Sequence, residues 1–495
     1  MNTHVLIIGA GTTGTGIARD LSLRGIQCVL VDKGDINAGA SGANHGLLHS
    51  GARYVFKDGE AAVECRDESR LLKHLAPQCI EDTGGLFVAV EMDDDNYIAD
   101  FPGMCDKYHI PCKMISTREA RELEPCLAPD LKAAFAVEDA VVDPFMLSLD
   151  NAADAQLHGT TIMRNTAVTG FRKENGQITS ATVLNTRTGE TQEIEALQYV
   201  NATGAWADTV SAMAGVNIPM IYSKGSLLVT QDRINQQVIN RLRRASDADI
   251  LVPGGTVSII GTTSVEIDSL DEIRPTPEEV DSIIKEGAVM VPELEKTRYI
   301  RAYAGVRPLV STQNGQGRSI TRNYTLKDHL KDGLENFISI TGGKLTTYRL
   351  MAEKASDIIA RRLKNYEPCL TAERELPASK KGEWTEPAKS ARLWMNKKDP
   401  KGTLICECEM VSEQMVNHIV DSLKSEGARP TLREVGNRSR IGKGPCQGTF
   451  CSFRLASYLY GTEELVDTEG LEQVREFVNE RWKGFMPLVR DKELM

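Results

Sequence analysis

Residues 4–32 read HVLIIGAGTTGTGIARDLSLRGIQCVLVD, and the order of residue types in this stretch decides what kind of fold the chain can adopt. Val5 to Ile8 form a short apolar run ending at Gly9, the pattern of a central parallel strand covered on both faces. Ile17, Leu21 and Leu23 then recur at helical spacing, Arg24-Gly25 closes the segment, and CVLVD supplies a second strand. This is one βαβ unit, the setting that the spacing G-x-G-x-x-G requires. Gly9 allows the tight turn, Gly11 lets a pyrophosphate approach the backbone, and Gly14 lets helix and sheet pack closely. Ala18 keeps the next turn of that helix face small. The helix then directs its positive end at phosphate. Asp32 ends the second strand, where a carboxylate accepts from both ribose hydroxyls and repels a 2′-phosphate. That favours the adenosine of FAD or NAD over NADP.

The bulk numbers bound the rest. At 495 residues the chain is long enough for two or three domains. It is 41% hydrophobic and 26% charged, with a net charge of −11, a balance that argues against nucleic-acid binding and against a polybasic membrane anchor. No apolar run approaches the roughly 18 residues of a membrane span. The N-terminus enters a strand pattern with no basic region and no small-residue cleavage site, so no signal peptide is expected. The expected location is cytosolic, with any membrane contact made through a partner. The 11 cysteines are odd in number, which argues against a disulfide framework. Seven of them, from Cys28 to Cys369, are scattered and read as ordinary buried or surface thiols.

The segments beyond Asp32 separate FAD from NAD. GDINAGASGANHGLLHSGARYV (34–55) is a long, polar, small-residue loop suited to lie along an extended cofactor. YVNATGAWAD (199–208) leads into a glycine turn and Trp206. FISITGGKLTTYRLMAEKASDIIARRL (337–363) predicts a strand over 337–341, a Gly342-Gly343 turn and a helix. That helix carries Tyr348, Met351, Ala352, Ala355, Ile358, Ile359 and Leu363 on one face. A strand–GG–helix unit so late returns the chain to its first domain, and its helix N-terminus favours the anionic reduced flavin; a nicotinamide needs no such device. Together these segments favour FAD.

These stretches resemble the FAD-dependent glycerol-3-phosphate dehydrogenases, within the D-amino-acid oxidase-like flavoproteins. The matching pieces are GAGTTGTGIARDLSLRG, HGLLHSGARY, KGSLLV, RAYAGVRPLV and TGGKLTTYRLMAE. With the C-terminal cysteines they are similar to the anaerobic, multi-subunit branch of that family. The resemblance implies an α/β fold over 1–368, a Rossmann-type FAD-binding domain interleaved with a mixed-sheet substrate domain. It implies oxidation of sn-glycerol 3-phosphate to dihydroxyacetone phosphate, with hydride leaving C2 for flavin N5. The cofactor residues so nominated are Gly9, Gly11, Gly14, Asp32, Lys33, Ser41, Gly42, Asn44, Gly46, Leu47, Val168, Ala202, Gly204, Trp206, Gly305, Gly342, Gly343, Lys344, Leu345 and Thr346.

A small dianionic substrate needs cations on fixed elements. The resemblance places Arg307 of G-x-R-P-L, Arg322 of SITRNY, and Arg53 with Tyr54 at the substrate, and Lys344 over the flavin or the substrate oxygen. A single surface arginine is ordinarily a solvated charge. Arg307 differs because AGVRPL is apolar and a lone charge there is costly. The aerobic, single-subunit relatives carry a histidine after K-G-S, and here Leu227 stands in its place. The base therefore stays open between His49, Lys344 and water, with a structural role for His49 equally open.

After Leu363 the pattern breaks. Residues 369–403 read as a charged, proline-containing linker, with Trp384 and Trp394 as docking candidates. LICECEMV then supplies C-x-C, and GPCQGTFC supplies C-x₄-C. Cys406, Cys408, Cys446 and Cys451 are four thiolates able to hold zinc or an iron–sulfur cluster. Their spacing resembles the bacterioferritin-associated ferredoxin type of [2Fe–2S] domain, implying a small helical unit over 404–460 with a tail over 461–495. Gly442, Gly444 and Gly448 would let backbone N–H groups turn toward the sulfurs. Arg438, Arg440 and Lys443 would offset thiolate charge. The cluster would carry electrons away from the flavin. The resemblance further implies a second subunit, a membrane-associated iron–sulfur subunit and a quinone as final acceptor. It places the complex peripherally on the cytoplasmic face of the inner membrane, in anaerobic respiration on glycerol. Two rival readings remain: an FAD/[2Fe–2S] dehydrogenase of an amino or hydroxy acid such as hydroxyproline, and a non-enzymatic electron-transfer module.

Overall fold

The computed structural model describes residues 1–271, 273–310, 323–377, 403–425 and 429–489. Strand Asn2–Ile8 lies at the centre of an eight-stranded sheet, parallel to Cys28–Val31 on one side and to Thr191–Asn201 on the other. Thr161–Met163 and Phe337–Gly342 extend the parallel block outward. Val5 and Ile7 face one core with Leu30, Val200 and Ile338, whereas Leu6 and Ile8 face another with Val29, Val31 and Tyr199. Burial on both faces is why the opening strand reads as an unbroken apolar run.

Helix Thr12–Leu23 packs between helices Pro144–Leu157 and Tyr348–Arg362. Being covered on two sides, it buries charge as well as apolar surface: Arg19 pairs with Asp154 at 2.7 Å and Arg24 with Asp20 at 2.9 Å. Leu23, part of the sequence pattern, is only partly buried. The later helix follows its predicted face. Tyr348, Met351, Ala352, Ala355 and Ile359 are buried, with Ile358 and Leu363 packed at the margin.

A second, nine-stranded mixed sheet is built from two stretches, 85–137 and 220–310. Strands of the first sheet precede, separate and follow these stretches, so the two layers are interleaved in sequence. Its longest pairing sets Met220–Thr230 against Tyr299–Val310, antiparallel, with Ser223 opposite Arg307 and Gly225 opposite Gly305.

The C-terminal residues form an α-rich unit of two short strands and helices Glu413–Ser425, Leu432–Arg438, Cys451–Gly461 and Glu469–Trp482. One apolar cluster joins Ile405, Val416, Leu432, Leu455, Val474 and Phe477. The last helix lies in the segment read as a tail, yet Val474 and Phe477 complete this core, so the packed unit runs beyond residue 460. Of the expected linker, 378–402 and both its tryptophans lie outside the described residues. No helix among the described residues is long and apolar enough to cross a membrane.

Candidate active site and cysteine loop

The fingerprint glycines are where the fold leaves no room for a side chain. Gly9 has φ +105°, and a Cβ there would lie 2.6 Å from the Ala202 carbonyl oxygen. A Cβ on Gly14 would lie 1.8 Å from the Gly9 carbonyl oxygen. Thr12 N–H donates to Ser41 Oγ at 3.0 Å, tying the polar loop to the start of the helix. Asp32 receives the Ala10 N–H at 2.7 Å and the Gly34 N–H at 2.8 Å, one on each carboxylate oxygen. Burial raises its pKa against these donors. The carboxylate is thus oriented by the backbone, and each oxygen keeps a further lone pair for a ribose hydroxyl. Lys33 Nζ stands 3.7 Å over the Trp206 ring, which closes the same end.

These groups border a cavity of about 420 Å³. Of the nominated cofactor residues, Gly9, Gly11, Asp32, Lys33, Ser41, Asn44, Leu47, Val168, Ala202, Gly204, Trp206, Gly305, Gly342, Gly343, Lys344 and Leu345 line it. Gly14, Gly42, Gly46 and Thr346 stand behind the wall. Gly42 lies against the Asn37 carbonyl and Phe145, and Gly46 N–H donates to Asn44 Oδ1 at 2.8 Å. Thr346 Oγ1 receives the His49 N–H at 3.1 Å.

The nominated catalytic residues that the structure describes share this cavity: His49, Arg53, Tyr54, Arg307 and Lys344 all line it. Arg322 lies outside the described residues. Arg307 Nη1 donates to Ser223 Oγ at 3.4 Å, and Nη2 donates to Thr262 Oγ1 and, at 3.1 Å, to the Thr263 carbonyl. These partners fix the guanidinium plane. Gly225 makes room for it, since a Cβ there would lie 2.4 Å from Nη2. Arg53 bonds Asp249 at 2.9 Å, and Asp249 also takes Arg243 at 2.8 Å. One buried carboxylate therefore serves two guanidiniums. Lys344 Nζ lies 4.8 Å from the Tyr54 ring centre and 3.4 Å from Asn323 Oδ1. Tyr54 OH is 3.4 Å from His49 Nε2. Leu227 is buried at the cavity wall. The sequence reading missed Ser223, Thr262, Thr263 and Asp249, because short polar residues on strand edges carry no local signal of what they will face. Lys224, the lysine of the matched K-G-S triplet, pairs with Glu279 at 2.9 Å.

The four C-terminal cysteines come together. The Cys406 and Cys446 sulfurs each interact with those of Cys408 and Cys451. Backbone N–H groups of Glu409 and Gly442 point to Cys406, and those of Gly448 and Phe450 point to Cys446. The neighbouring thiols first, and these donors after them, hold Cys406 and Cys446 well below the ordinary thiol range against the effect of burial. Gly442 and Gly448 have φ of +78° and +90°, and both lie against the Phe477 ring. Among the described residues, no group of three or more histidine, cysteine or carboxylate side chains is arranged to hold a metal ion. What is present is a ring of four thiols with backbone N–H donors.

The cations near this loop do something other than the sequence suggests. Arg438 bonds Asp35 at 3.1 Å, and Arg440 bonds Glu409 at 2.6 Å and approaches Asp143 at 3.6 Å. Arg438 therefore fastens the C-terminal unit to the flavin-side loop and Arg440 links it to the N-cap of helix Pro144–Leu157, although Arg440 also feels the Cys406 charge. Asp35 and Asp143 lie hundreds of positions away in the chain, which local charge patterning does not reveal.

Residues 4–356 match the family model described as FAD dependent oxidoreductase. The chain is 43% identical over 509 aligned residues to the A subunit of the anaerobic glycerol-3-phosphate dehydrogenase of Escherichia coli, covering 98% of this chain and 93% of that one. It is 40% identical to the protein of the same name from Haemophilus influenzae, over 99% of this chain and 90% of the other. Among solved structures, the glycerol-3-phosphate dehydrogenase from Bacillus halodurans complexed with FAD aligns with a TM-score of 0.69 at 22% identity, covering 99% of this chain and 97% of that one. At that identity the structural match speaks to the fold.

Proposed function

Because this chain belongs to the FAD-dependent oxidoreductases and, within them, to the A subunits of anaerobic glycerol-3-phosphate dehydrogenases, we propose that it oxidises sn-glycerol 3-phosphate to dihydroxyacetone phosphate. The observation that carries this reading is the meeting of Arg53, Arg307 and Lys344 in one cavity with the dinucleotide fingerprint. FAD, when bound, supplies a two-electron acceptor. The residues that would hold it fit the group: the Gly9–Gly14 turn and helix start for the pyrophosphate, Asp32 for the ribose, and the Gly342–Leu345 turn for the ring system.

Arg307 and Arg53 bind the substrate phosphate. Arg307 is aimed by Ser223, Thr262 and Thr263, and Arg53 shares Asp249 with Arg243, so neither has to be reorganised when the dianion arrives. His49 and Lys344, both bordering the cavity, are the groups suited to take the C2 hydroxyl proton, with Tyr54 orienting His49 at 3.4 Å. Buried apolar walls such as Leu227 limit water at the reacting carbon.

Cys406, Cys408, Cys446 and Cys451 hold a [2Fe–2S] cluster in this reading. Electrons leave through it to a second subunit, a membrane-associated iron–sulfur subunit and a quinone at the membrane face. The thiol ring, the N–H donors and the naming of the relatives as parts of a multi-subunit enzyme support this. Anaerobic mixing with glycerol 3-phosphate, glycerol, proline and hydroxyproline tests the assignment. Glycerol 3-phosphate should bleach the flavin fastest at equal concentration. Faster bleaching by either amino acid would replace the phosphate reading with a carboxylate clamp.

A further inference from the structure

A second cavity, of about 1270 Å³, lies where the C-terminal unit meets the flavoprotein body. Its walls are the loop from Asp35 to Gly46, the second sheet at Gly254 and Arg301–Val306, and C-terminal residues between Thr431 and Gly484. The flavin-side loop is a partition, since Ala38, Ala43 and Asn44 border both cavities.

The charge of this cavity opposes that of the chain. The protein carries a net −11, yet eight lysines and arginines line the cavity against four aspartates and glutamates. Three of the four acids already have partners: Asp35 with Arg438 at 3.1 Å, Asp143 with Arg440 at 3.6 Å, and Glu480 with Lys483 at 2.6 Å. Three of the cations are set against rings. Lys443 Nζ is 4.3 Å from the Phe145 centroid, Arg481 is 5.6 Å from Phe477, and Arg301 is 6.0 Å from Tyr303. Arg301 Nη1 is buried and meets no hydrogen-bond acceptor among the described residues. Burial lowers Lys443 to about 7 and Arg481 to about 9, and neighbouring guanidiniums push both the same way.

Half-buried cations gathered without matching carboxylates are costly, and an anion between them offsets that cost. Arg481 feels the charge of Arg301, and Lys443 that of Arg481; two guanidiniums and an ammonium so grouped suit a doubly charged oxyanion with several acceptor oxygens. The cavity is far larger than an inorganic ion, and its rings offer faces to an organic body. We propose that the cavity is a binding site for a phosphomonoester, held at its phosphate by Arg301, Arg481 and Lys443 and at its organic part by Phe145. A ligand so placed touches both units at once and binds best when they are docked.

The test uses the full-length FAD-loaded protein in phosphate-free buffer, in an Arg307→Leu background that weakens the first cavity's hold on phosphate. Inorganic phosphate, glycerol 3-phosphate and adenosine monophosphate are titrated separately by calorimetry and ³¹P nuclear magnetic resonance. One saturable equivalent is expected, with the esters tighter than phosphate alone. Arg301→Leu, or independently Arg481→Gln should one variant fold poorly, is expected to weaken it by about 30-fold or more with FAD content unchanged. Arg301→Lys should restore part of it. Absence of saturable binding by every probe, or equal binding in both charge-removing variants, overturns the proposal. An ester no tighter than inorganic phosphate overturns its organic part.

Discussion

Replacing Arg307 with leucine separates a phosphate clamp from a structural arginine. Its guanidinium is held by two hydroxyls and one carbonyl. Thr262 borders the cavity, and all three groups can be rehydrated from it once the guanidinium is removed, so the fold should lose little and FAD should remain bound. The substrate side is different. Truncating one member of a desolvated charge pair costs about 2–5 kcal/mol, a loss of roughly 30- to several-thousand-fold in kcat/KM for glycerol 3-phosphate. Arg53→Leu should cost less in kcat/KM, because Arg53 is already paired with Asp249 at 2.9 Å and offers a phosphate less net charge. Glycerol has no phosphate to lose, so Arg307→Leu should compress the preference for glycerol 3-phosphate over glycerol. Arg307→Lys should recover only part of it, since a point charge does not reproduce the planar fork. The assay is anaerobic flavin bleaching by stopped flow on both substrates, with FAD content read from the spectrum. Equal fractional losses on the two substrates would mean that Arg307 supports the flavin or the fold, and the phosphate role would have to be withdrawn.

Cys446→Ser should abolish iron and acid-labile sulfide in protein purified anaerobically, while substrate still bleaches the flavin; stoichiometric zinc without iron in the unmodified protein would sink the cluster reading. Gly14→Ala should strip FAD, because the new Cβ would lie 1.8 Å from the Gly9 carbonyl oxygen, and undiminished flavin content at equal yield would count against the packing argument. Burial raises the Asp35 pKa, but Arg438 and Arg164 outweigh it and leave the group below its ordinary 3.8. Such a depressed carboxylate stabilises docking of the C-terminal unit above that value, and the contribution disappears as pH falls through the lower, folded-state value. Hydrogen exchange in helix Leu432–Arg438 should therefore accelerate as pH falls below about 3.8, less steeply in Arg438→Leu, and an acid-insensitive rate would contradict the assignment.

Much of this protein is local, and local order is what a sequence states openly. The opening βαβ unit, its glycines and Asp32 are legible because strand burial, helix period and turn chemistry act within about thirty residues. The same holds for the helix carrying Tyr348 through Ile359, whose apolar face follows from period alone. The cysteine pairs are legible as a donor set, since few other uses require four thiols so spaced.

The tertiary structure alone decided what these parts face. Arg307 meets Ser223 because two long strands pair in that register, and register depends on packing that no single strand declares. Arg53 reaches Asp249, and Arg438 reaches Asp35, across separations that only the completed chain closes. Local charge pattern assigned Arg438 and Arg440 to the thiolates; the fold gave both carboxylate partners as well, because a buried guanidinium takes whichever acids packing brings to it. The seam that gathers Arg301, Lys443 and Arg481 belongs to no segment, since it exists only once the C-terminal unit rests on the loop that also borders the flavin cavity.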